Sequence, residues 1–567
     1  MPTISSVRPH QRVWPKRLPH ALSVPATSLW FNLEVSARRY PDKTAYLFFG
    51  QPLSFSALQA QAQAVAGWLQ SVGVKAGDRV ALYLQNCPQF VVAYYAILRA
   101  NAVVVPVNPM NKMEELTYQL QDAQAQVVIC AADLAATVQA AQSTLEPHER
   151  LRQVLVTHYS DAMPPVSAMD PAELAAEATD AWLRAEPALP AACLRWSEIL
   201  GQAWLLGPHT AEADDLAMLQ YTSGTTGHPK GCMHSHRSLM SNAVTGCWTQ
   251  STVASVGLGV VPFFHITGLV CFVLRAVFDA TSTVILPRWD RELAGRLISR
   301  HKVTHWTCIP TMVIDLFGSP NYKDFGLGGL VHINGGGAAM PQAVAERLQQ
   351  EFGLTFLEGY GLTETAAATH GNPPERAKLQ CLGMPFFGVD SRVVDPNTLR
   401  ELEPGEVGEI VSRGPMLFQG YWRNPEATAA AFIELEGQRF FRTGDLGHMD
   451  EEGYFFLTDR LKRMINSSGF KVWPAEVEAL LFKHPAVHEA CIISSQDAYR
   501  GESVKALVVL RSEARGQTTE QQIIDWSREH MAAYKVPRQV QFVESLPKSG
   551  SGKVMWRLLQ ERETAGT

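Results

Sequence analysis

The sequence predicts an α/β fold: a large N-terminal α/β domain with parallel sheets plus a β-rich subdomain, and a small α+β C-terminal domain. Three observations support this prediction. The chain has 567 residues, too many for one ordinary hydrophobic core. Apolar strands alternate with helices over most of its length, and short hairpin patterns replace that alternation from about residue 390. We expect the N-terminal domain to span residues 1–461 and the C-terminal domain 462–567.

The alternation is clearest between residues 79 and 131. There RVALYLQN predicts a strand, CPQFVVAYYAILRA a helix, AVVVPVN a strand, MEELTYQLQDA a helix and QVVICA a strand. The same rhythm returns in STVILP, RELAGRLISRH, VTHWTCIP and LVHING. Residues 155–205 are rich in Ala and Pro, which predicts a surface excursion.

Turn residues define the elements of the C-terminal part. SRVVDPNTLRELE and LGHMDEEGYFFLT predict hairpins that turn at residues 395–397 and 452–453. Pro474 begins a predicted helix, and the apolar strands AVHEACIIS and SVKALVVLR follow it. A further helix is expected to begin near Thr518–Thr519 and to end before Pro537, ahead of a strand, a glycine-rich turn and a short helix.

Composition limits the class of protein. The net charge is -6, with 46% hydrophobic and 18% charged residues, which is typical of a folded, soluble chain without nucleic acid as a partner. The nine cysteines are scattered singly, and the N-terminus lacks the apolar run of a signal peptide, so we expect a cytoplasmic protein. Residues 256–274 carry no charge, but their Gly, Pro and His residues predict a buried strand and helix start, not a membrane span.

The stretch YTSGTTGHPKG, at residues 221–231, concentrates glycine, hydroxyl residues and a lysine after the predicted strand LAMLQY. Glycines allow consecutive backbone N–H groups to point at one anion, and strand ends are where α/β folds bind ligands. The loop is not a Walker motif, because Pro229 precedes Lys230. The alternative is a flexible surface turn, but the composition favours phosphate binding.

A second stretch, LEGYGLTET, follows the predicted strand LTFLEG. Tyr360, between two glycines, offers a ring that could stack on a base. Thr363 offers a hydroxyl and Glu364 a carboxylate suited to Mg²⁺. For Glu364 alone, an ordinary surface acid is the more common interpretation.

Three more stretches carry candidate ligand contacts. NGGGAAM, which begins at Asn334, would let a flat ligand approach closely, although a tight turn is the alternative. Asp445 in FRTGDLG could accept hydrogen bonds from two hydroxyls, although a lone Asp there is usually a turn residue. Lys553 in LPKSGSGKVMWR could act on an anion or be a solvated turn lysine.

Together, in this order and spacing, these motifs resemble the adenylate-forming superfamily of acyl-CoA synthetases, luciferases and peptide-synthetase adenylation domains. The resemblance runs from YPDKTAYLF to GKVMWRLL and includes GEVGEIVSRGPMLFQGYW and YKVPRQVQFVESLPKSGSGK. It implies an enzyme that joins a carboxylic acid to AMP from ATP, releases pyrophosphate and passes the acyl group to a thiol. The implied cofactors are ATP and Mg²⁺, with CoA as co-substrate.

The resemblance also implies roles for individual residues. The implied catalytic residues are Lys553, Thr363, Glu364 and His265, with Glu364 as the magnesium ligand. The implied nucleotide-binding residues are Thr222, Ser223, Gly224, Thr225, Thr226, Gly227, Lys230, Gly335, Gly336, Gly337, Glu358, Gly359, Tyr360, Gly361, Asp445 and Arg460.

The resemblance further implies that the C-terminal domain is mobile and turns after adenylation. Lys462 matches the hinge, and the path of the thiol would be lined by Gly469, Phe470 and Lys471. The acyl pocket would be lined by Phe264, Thr267 and Gly268, and the run Gly335–Gly337 is expected to leave room there.

Departures from the family's pattern narrow the substrate. No Asp stands at Phe264 or His265, which argues against an amino acid. Asn466 stands where luciferases have a second lysine, which argues against luciferase chemistry.

The predicted function is an ATP-dependent acyl-CoA ligase for a short- to medium-chain fatty acid. An aryl-CoA ligase, an adenylation enzyme that loads a carrier protein supplied in trans and a catalytically inactive nucleotide sensor are the alternatives. The oligomeric state is left open by the sequence, with a homodimer as one option.

Overall fold

The computed structural model describes residues 8–190, 193–222, 229–460, 463–467, 470–497, 501–549 and 553–565. These residues form two compact units. The larger holds Trp14–Asp390 and Arg413–Ala430; the smaller holds the described parts of Met1–Val13, Ser391–Ser412 and Ala431–Thr567. The domain boundary at 461/462 stays a prediction, and it lies outside the described residues.

Two sheets organise the larger unit. The first is parallel in its interior and antiparallel at both edges. Its strands, in spatial order, are Met384–Pro385, Ala367–Gly371, Phe356–Leu362, His332–Gly335, His305–Cys308, Val256–Gly259, Ser282–Ile285, Thr44–Phe48 and Gln51–Ser54. We call it the first sheet.

The second sheet has the same character. Its interior strands are parallel, and a β-hairpin forms one side. Its strands, in spatial order, are Gly420–Tyr421, Gly231–Ser235, Leu216–Tyr221, Val103–Pro106, Arg79–Tyr83, Val127–Ala131, Gln153–Thr157 and Cys193–Arg195. Val103–Pro106 and Val127–Ala131 are buried along their whole length, which explains their continuous apolar runs.

Helices accompany both sheets and supply the connections between parallel strands. In the larger unit they are Trp30–Arg39, Phe55–Ser71, Pro88–Arg99, Met113–Ala123, Ala135–Thr144, Glu177–Leu183, Trp196–Leu200, His236–Ala243, Ile266–Gly268, Arg275–Phe278, Arg291–Arg300, Pro310–Phe317, Gln342–Phe352 and Pro425–Ala430. Leu269–Leu274 is a π-helical segment between two of them. The large unit's core includes the fully buried rings of Trp68, Trp306, Tyr94 and Tyr95.

The predicted fold class is confirmed, and so are most of its elements. Met113–Ala123 has the predicted limits, and the uncharged segment forms the strand Val256–Gly259 followed by helix. No helix in the described part of the chain is long and apolar enough to cross a membrane. The surface excursion predicted for 155–205 is partly wrong, because Gln153–Thr157 is a strand of the second sheet and Cys193–Arg195 pairs with it as the edge strand.

The smaller unit contains a β-rich sheet and an α+β part. One sheet, with nearly all of its residues in this unit, joins Asp390–Val394, Gly408–Arg413, Gln438–Met449, Phe432–Leu435 and Phe455–Arg460. The second joins Phe470–Val472, Ile465–Ser467, Gly501–Leu510, Val487–Asp497 and Gln539–Phe542. The helices of this unit are Pro474–Leu481, Glu520–His530 and Trp556–Ala565.

Local sequence signals explain where a turn and a helix of this unit begin. Asp395 Oδ1 accepts hydrogen bonds from the N–H groups of Asn397 and Thr398 at 2.9 and 2.8 Å, which makes the predicted turn. Thr519 caps the helix Glu520–His530, since its hydroxyl accepts from the N–H of Gln522 at 3.3 Å. This helix begins where the sequence predicts it.

Candidate active site

The predicted phosphate loop connects the two strands of a hairpin. Leu216–Tyr221 and Gly231–Ser235 pair antiparallel, with Tyr221 opposite Gly231. The N–H of Thr222 donates to the carbonyl of Lys230 at 3.0 Å, so the two ends of the loop are held together. The predicted residues Ser223, Gly224, Thr225, Thr226 and Gly227 lie outside the described residues.

Tyr421 connects two of the predicted site residues. The Nζ of Lys230 lies 4.6 Å from the centre of the Tyr421 ring, within the range of a cation–π contact. The hydroxyl of Tyr421 donates to Oε1 of Glu364 at 2.8 Å. Burial, with the neighbouring Glu364 carboxylate, raises the pKa of Tyr421 well above its ordinary value, so the phenol keeps its proton. We call Lys230, Tyr421 and Glu364 the tyrosine bridge.

The segment Thr363–Glu364 is also fixed through its backbone. His234 Nε2 lies 2.7 Å from the carbonyl oxygen of Thr363. Burial lowers the pKa of His234 to about 4, so the ring is neutral and Nε2 carries the donated hydrogen. The carbonyl of Glu364 accepts from the N–H of Phe418 at 2.8 Å. The hairpin that carries the phosphate loop therefore also positions the predicted magnesium ligand.

The glycine run 335–337 packs backbone against backbone. A Cβ on Gly335 would lie 1.8 Å from the carbonyl oxygen of Cys308, and one on Gly336 would lie 2.4 Å from that of Gly359. Gly337 has φ +86°, which favours glycine. A side chain at 335 or 336 would therefore meet a neighbouring carbonyl, so both positions require glycine. That the run leaves room for the acyl group stays a prediction.

Tyr360 lies within a strand that continues beyond the predicted end. Phe356–Leu362 pairs in parallel with His332–Gly335 and then antiparallel with Ala367–Gly371. The Tyr360 ring centre lies 5.6 Å from that of His370. Gly361 is required by close approach, since a Cβ there would lie 1.7 Å from the carbonyl oxygen of Ala367.

Glu358 is buried on the same strand, 6% exposed. Its Oε1 accepts from the N–H groups of Met340 and Gln380 at 3.4 and 3.1 Å. Burial raises the pKa of Glu358 to about 7, although the two N–H groups oppose the rise. Its backbone carbonyl accepts from Asn372 Nδ2 at 3.0 Å. The carboxyl group links three segments beside the glycine run.

The predicted acyl-pocket residues surround the start of a helix. His265 caps Ile266–Gly268, and its Nδ1 accepts from the N–H of Thr267 at 3.3 Å. The carbonyl of Phe264 accepts from Gln220 Nε2 at 3.0 Å. A Cβ on Gly268 would lie 2.1 Å from the carbonyl oxygen of Pro262. Gly268 is therefore required by close packing, and its place in the acyl pocket stays a prediction.

The smaller unit carries the other predicted residues. Asp445 is 2% exposed and stands opposite Arg460 in the antiparallel register. Lys553 is exposed, and its N–H donates to Ser549 Oγ at 3.2 Å. Phe470 and Lys471 lie on a strand paired with Ile465–Ser467. Lys462 and Gly469 lie outside the described residues.

The structure thus brings Lys230 and Thr363–Glu364 together, and the glycine run together with Glu358–Gly359. The sequence analysis missed Tyr421 and His234. Tyr421 belongs to the quoted GYW stretch, but only the folded chain shows that its hydroxyl reaches a residue 57 positions away. Among the described residues, no three His, Cys, Asp or Glu side chains cluster as a metal site. Glu364 fits Mg²⁺ in another way, since that ion is usually held by one or two carboxylates plus substrate phosphates.

Comparison with known proteins agrees with this geometry. The family model described as AMP-binding enzyme matches residues 33–422, and that of the AMP-binding enzyme C-terminal domain matches 476–553. A long-chain-fatty-acid–CoA ligase of Bacillus subtilis is 36% identical over 99% of both chains. A feruloyl-CoA synthase of Amycolatopsis is 32% identical over 92% of this chain and 96% of its own.

A solved structure gives the same result. ATP-bound MatB from Rhodopseudomonas palustris has a TM-score of 0.80 and 29% identity, and covers 94% of this chain and 100% of its own. The resemblance found in the sequence is confirmed: the chain belongs to the AMP-binding enzyme family, as an acyl-CoA synthetase of the adenylate-forming superfamily.

Proposed function

We propose that this protein is an ATP-dependent ligase that activates a fatty acid as acyl-AMP, releases pyrophosphate and transfers the acyl group to CoA. The observation that carries the proposal is the tyrosine bridge. In it, the side chain of Tyr421 contacts both the cation Lys230 of the predicted phosphate loop and the carboxylate of Glu364, which is suited to Mg²⁺. Likeness to a fatty-acid–CoA ligase along nearly the whole chain supports it.

In this proposal the residues of the larger unit bind and orient ATP. Lys230 and the loop Thr222–Gly227 hold the β- and γ-phosphates, which leave as pyrophosphate. Tyr360 stacks on adenine beside the glycine run, and Thr363 contacts the α-phosphate. Mg²⁺, held by Glu364, would neutralise charge on the phosphates.

Asp445 and Arg460 are proposed to bind the ribose hydroxyls, and Lys553 is proposed to act on the reacting groups. Attack of a carboxylate on the α-phosphorus brings two anions together, and an ammonium group stabilises the charge that develops. We retain Lys462 as the hinge of a mobile C-terminal domain and Gly469, Phe470 and Lys471 as the path of CoA. His265 is proposed to lie near the acyl carboxylate.

An aryl-CoA ligase is the second candidate. The likeness to a feruloyl-CoA synthase favours it, and nothing in the predicted nucleotide contacts separates it from a fatty-acid ligase. The short- to medium-chain length stays a prediction. A cytoplasmic location also stays a prediction, supported by nine free cysteines.

The test is a panel of carboxylic acids, alkyl and aryl, assayed for acid-dependent pyrophosphate release with ATP and Mg²⁺, with and without CoA. Fatty acids should release pyrophosphate, and acyl-CoA should form when CoA is present. Turnover of aryl acids alone would favour the second candidate. Pyrophosphate release without thioester formation on CoA would favour a carrier-protein acceptor, and no release with any acid would contradict the proposal.

A further inference from the structure

A polar cavity lies in the larger unit, between the first sheet and the helical segment 266–278. The cavity volume is about 50 Å³, which is room for a few water-sized groups. His305, Thr307, His332 and Asn334 line it from the sheet, and Arg275 lines it from the helix. Most of its other lining residues carry hydroxyl groups.

The sheet residues of this cavity form two matched pairs on one face. His305 stands opposite His332 and Thr307 opposite Asn334 in the parallel register. Residues two apart on a strand point to the same face, so both pairs face the helical segment. Thr307 donates to Asn334 Oδ1 at 2.8 Å, and the two imidazole centres are 5.8 Å apart.

Two buried nitrogen atoms at this cavity, Nε of Arg275 and Nε2 of His332, have no hydrogen-bond partner among the residues that the structure describes. Arg275 is otherwise held by its Nη2, which donates to Thr245 Oγ1 at 2.7 Å. Burial, with His305, Arg275 and Arg17 nearby, lowers the pKa of His332 to about 3. The ring is therefore neutral and can donate from Nε2.

Both ring nitrogens of the neighbouring His305 have hydrogen-bond partners. Its Nε2 donates to the carbonyl of Thr249 at 3.0 Å, and its Nδ1 accepts from Thr304 Oγ1 at 2.9 Å. The nearest acid in sequence, Asp279, does not line the cavity. Its buried carboxyl group interacts electrostatically with Arg275, but it does not accept a hydrogen bond from Arg275 Nε. Within the described part of the chain, the donors at this cavity without partners are thus Arg275 Nε and His332 Nε2, and an oxygen acceptor would match both.

The two strands that line the cavity lead towards the predicted acyl site. Asn334 directly precedes Gly335, and Thr307 directly precedes Cys308, the residues where the two strands end. From Gly335 back to His332 is three residues, or about 10 Å along the strand. An extended chain advances about 1.1–1.2 Å per bond, so this depth corresponds to roughly eight or nine bonds.

We propose that this cavity is the far end of the acyl site and that it binds a carboxylate or carbonyl oxygen at the distal end of the acid. This inference rests on the proposed ligase function and specifies its substrate class. Arg275 Nε and His332 Nε2 donate to that oxygen. A plain alkyl end would bury both donors without partners, which is unfavourable.

The experiment compares acids of equal length, about eight carbons, that end in a methyl group, a methyl ketone or a second carboxylate. The full chain is assayed for kcat/KM in acid-dependent pyrophosphate release. We expect at least one oxygenated acid to exceed the alkyl acid by about tenfold or more. A higher kcat/KM for the methyl ketone would indicate that the cavity binds a neutral carbonyl oxygen, and a higher kcat/KM for the diacid would indicate that it binds an anionic carboxylate.

His332→Phe and Arg275→Met should reduce that ratio to about one, while the alkyl acid keeps its kcat/KM or gains. His148→Phe, at an exposed position, is the matched control and should keep the wild-type ratio. Thermal unfolding midpoints show which variants are folded. If neither variant folds, the ratio of kcat/KM for oxygenated and alkyl acids in the wild-type enzyme decides whether the acyl site prefers a distal oxygen.

The possible results separate the two proposals. Wild-type enzyme that uses the alkyl acid as well as or better than both oxygenated acids would overturn the distal-oxygen inference and leave the ligase function intact. A preference for oxygenated acids that persists in both folded variants would overturn the assignment to this cavity. No turnover of any acid would contradict the ligase function itself.

Discussion

Replacement of Glu358 by Gln should stabilise the larger unit at alkaline pH. The carboxyl group has an ordinary pKa of 4.5, and burial raises it to about 7 in the folded chain. Below pH 4.5 the group is protonated in both states, so it has no effect on stability. Between 4.5 and 7 the unfolded chain loses the proton first, and stability falls as the pH rises.

The magnitude follows from these values. Each pKa unit corresponds to 1.36 kcal/mol, so ionisation of buried Glu358 costs about 3 kcal/mol at pH 8 and about 1 kcal/mol at pH 5. Gln has the same shape, and its carbonyl oxygen can accept from the N–H groups of Met340 and Gln380. Glu358→Gln should therefore gain about 2 kcal/mol more at pH 8 than at pH 5.

Urea denaturation of both proteins, followed by tryptophan fluorescence at pH 5 and pH 8, measures this difference. Glu346→Gln, on the exposed face of Gln342–Phe352, is the matched control and should change stability equally at both pH values. If Glu358→Gln also gave the same change at pH 5 and pH 8, Glu358 would not be held protonated, and the argument from burial would fail.

Three further variants test the site. Lys553→Ala should slow pyrophosphate release by about hundreds-fold yet leave the reaction of supplied acyl-AMP with CoA intact; equal loss of both half-reactions would contradict the electrostatic role. Tyr421→Phe removes the hydrogen bond to Glu364 but keeps the ring beside Lys230, so the Mg²⁺ concentration for half-maximal rate should change several-fold, and an unchanged Mg²⁺ dependence would argue against the tyrosine bridge. Gly336→Ala places a methyl group 2.4 Å from the carbonyl oxygen of Gly359 and should weaken ATP binding, as measured by calorimetry. A variant that binds ATP as tightly as the wild type would show that the backbone can move to accommodate the methyl group without disturbing the nucleotide site.

Elements governed by local signals could be predicted from the sequence. Met113–Ala123 and the Thr519-capped helix depend on apolar periodicity and on a capping box within four residues. The extension of Phe356–Leu362 past Gly359 could not be predicted, because the pairing partner that holds it, Ala367–Gly371, is chosen by tertiary packing. Cys193–Arg195 is similar, since a three-residue edge strand has little pattern of its own.

The candidate site shows the same division. Glycine, hydroxyl and lysine residues in 221–231 predict an anion loop from composition alone. The composition of a loop does not reveal which distant side chain meets its lysine. Tyr421 is 191 positions from Lys230, and its contact arises because Gly420–Tyr421 pairs with Gly231–Ser235 at the edge of the second sheet.

The tyrosine bridge has a consequence for binding thermodynamics. One phenol touches both the cation that would meet a phosphate and the carboxylate that would meet a metal. A ligand that draws Lys230 from the ring, or one that competes for Glu364 Oε1, alters the free energy of the same side chain. The affinities for nucleotide and for metal are then coupled, and the factor by which each changes the other is the same in both directions.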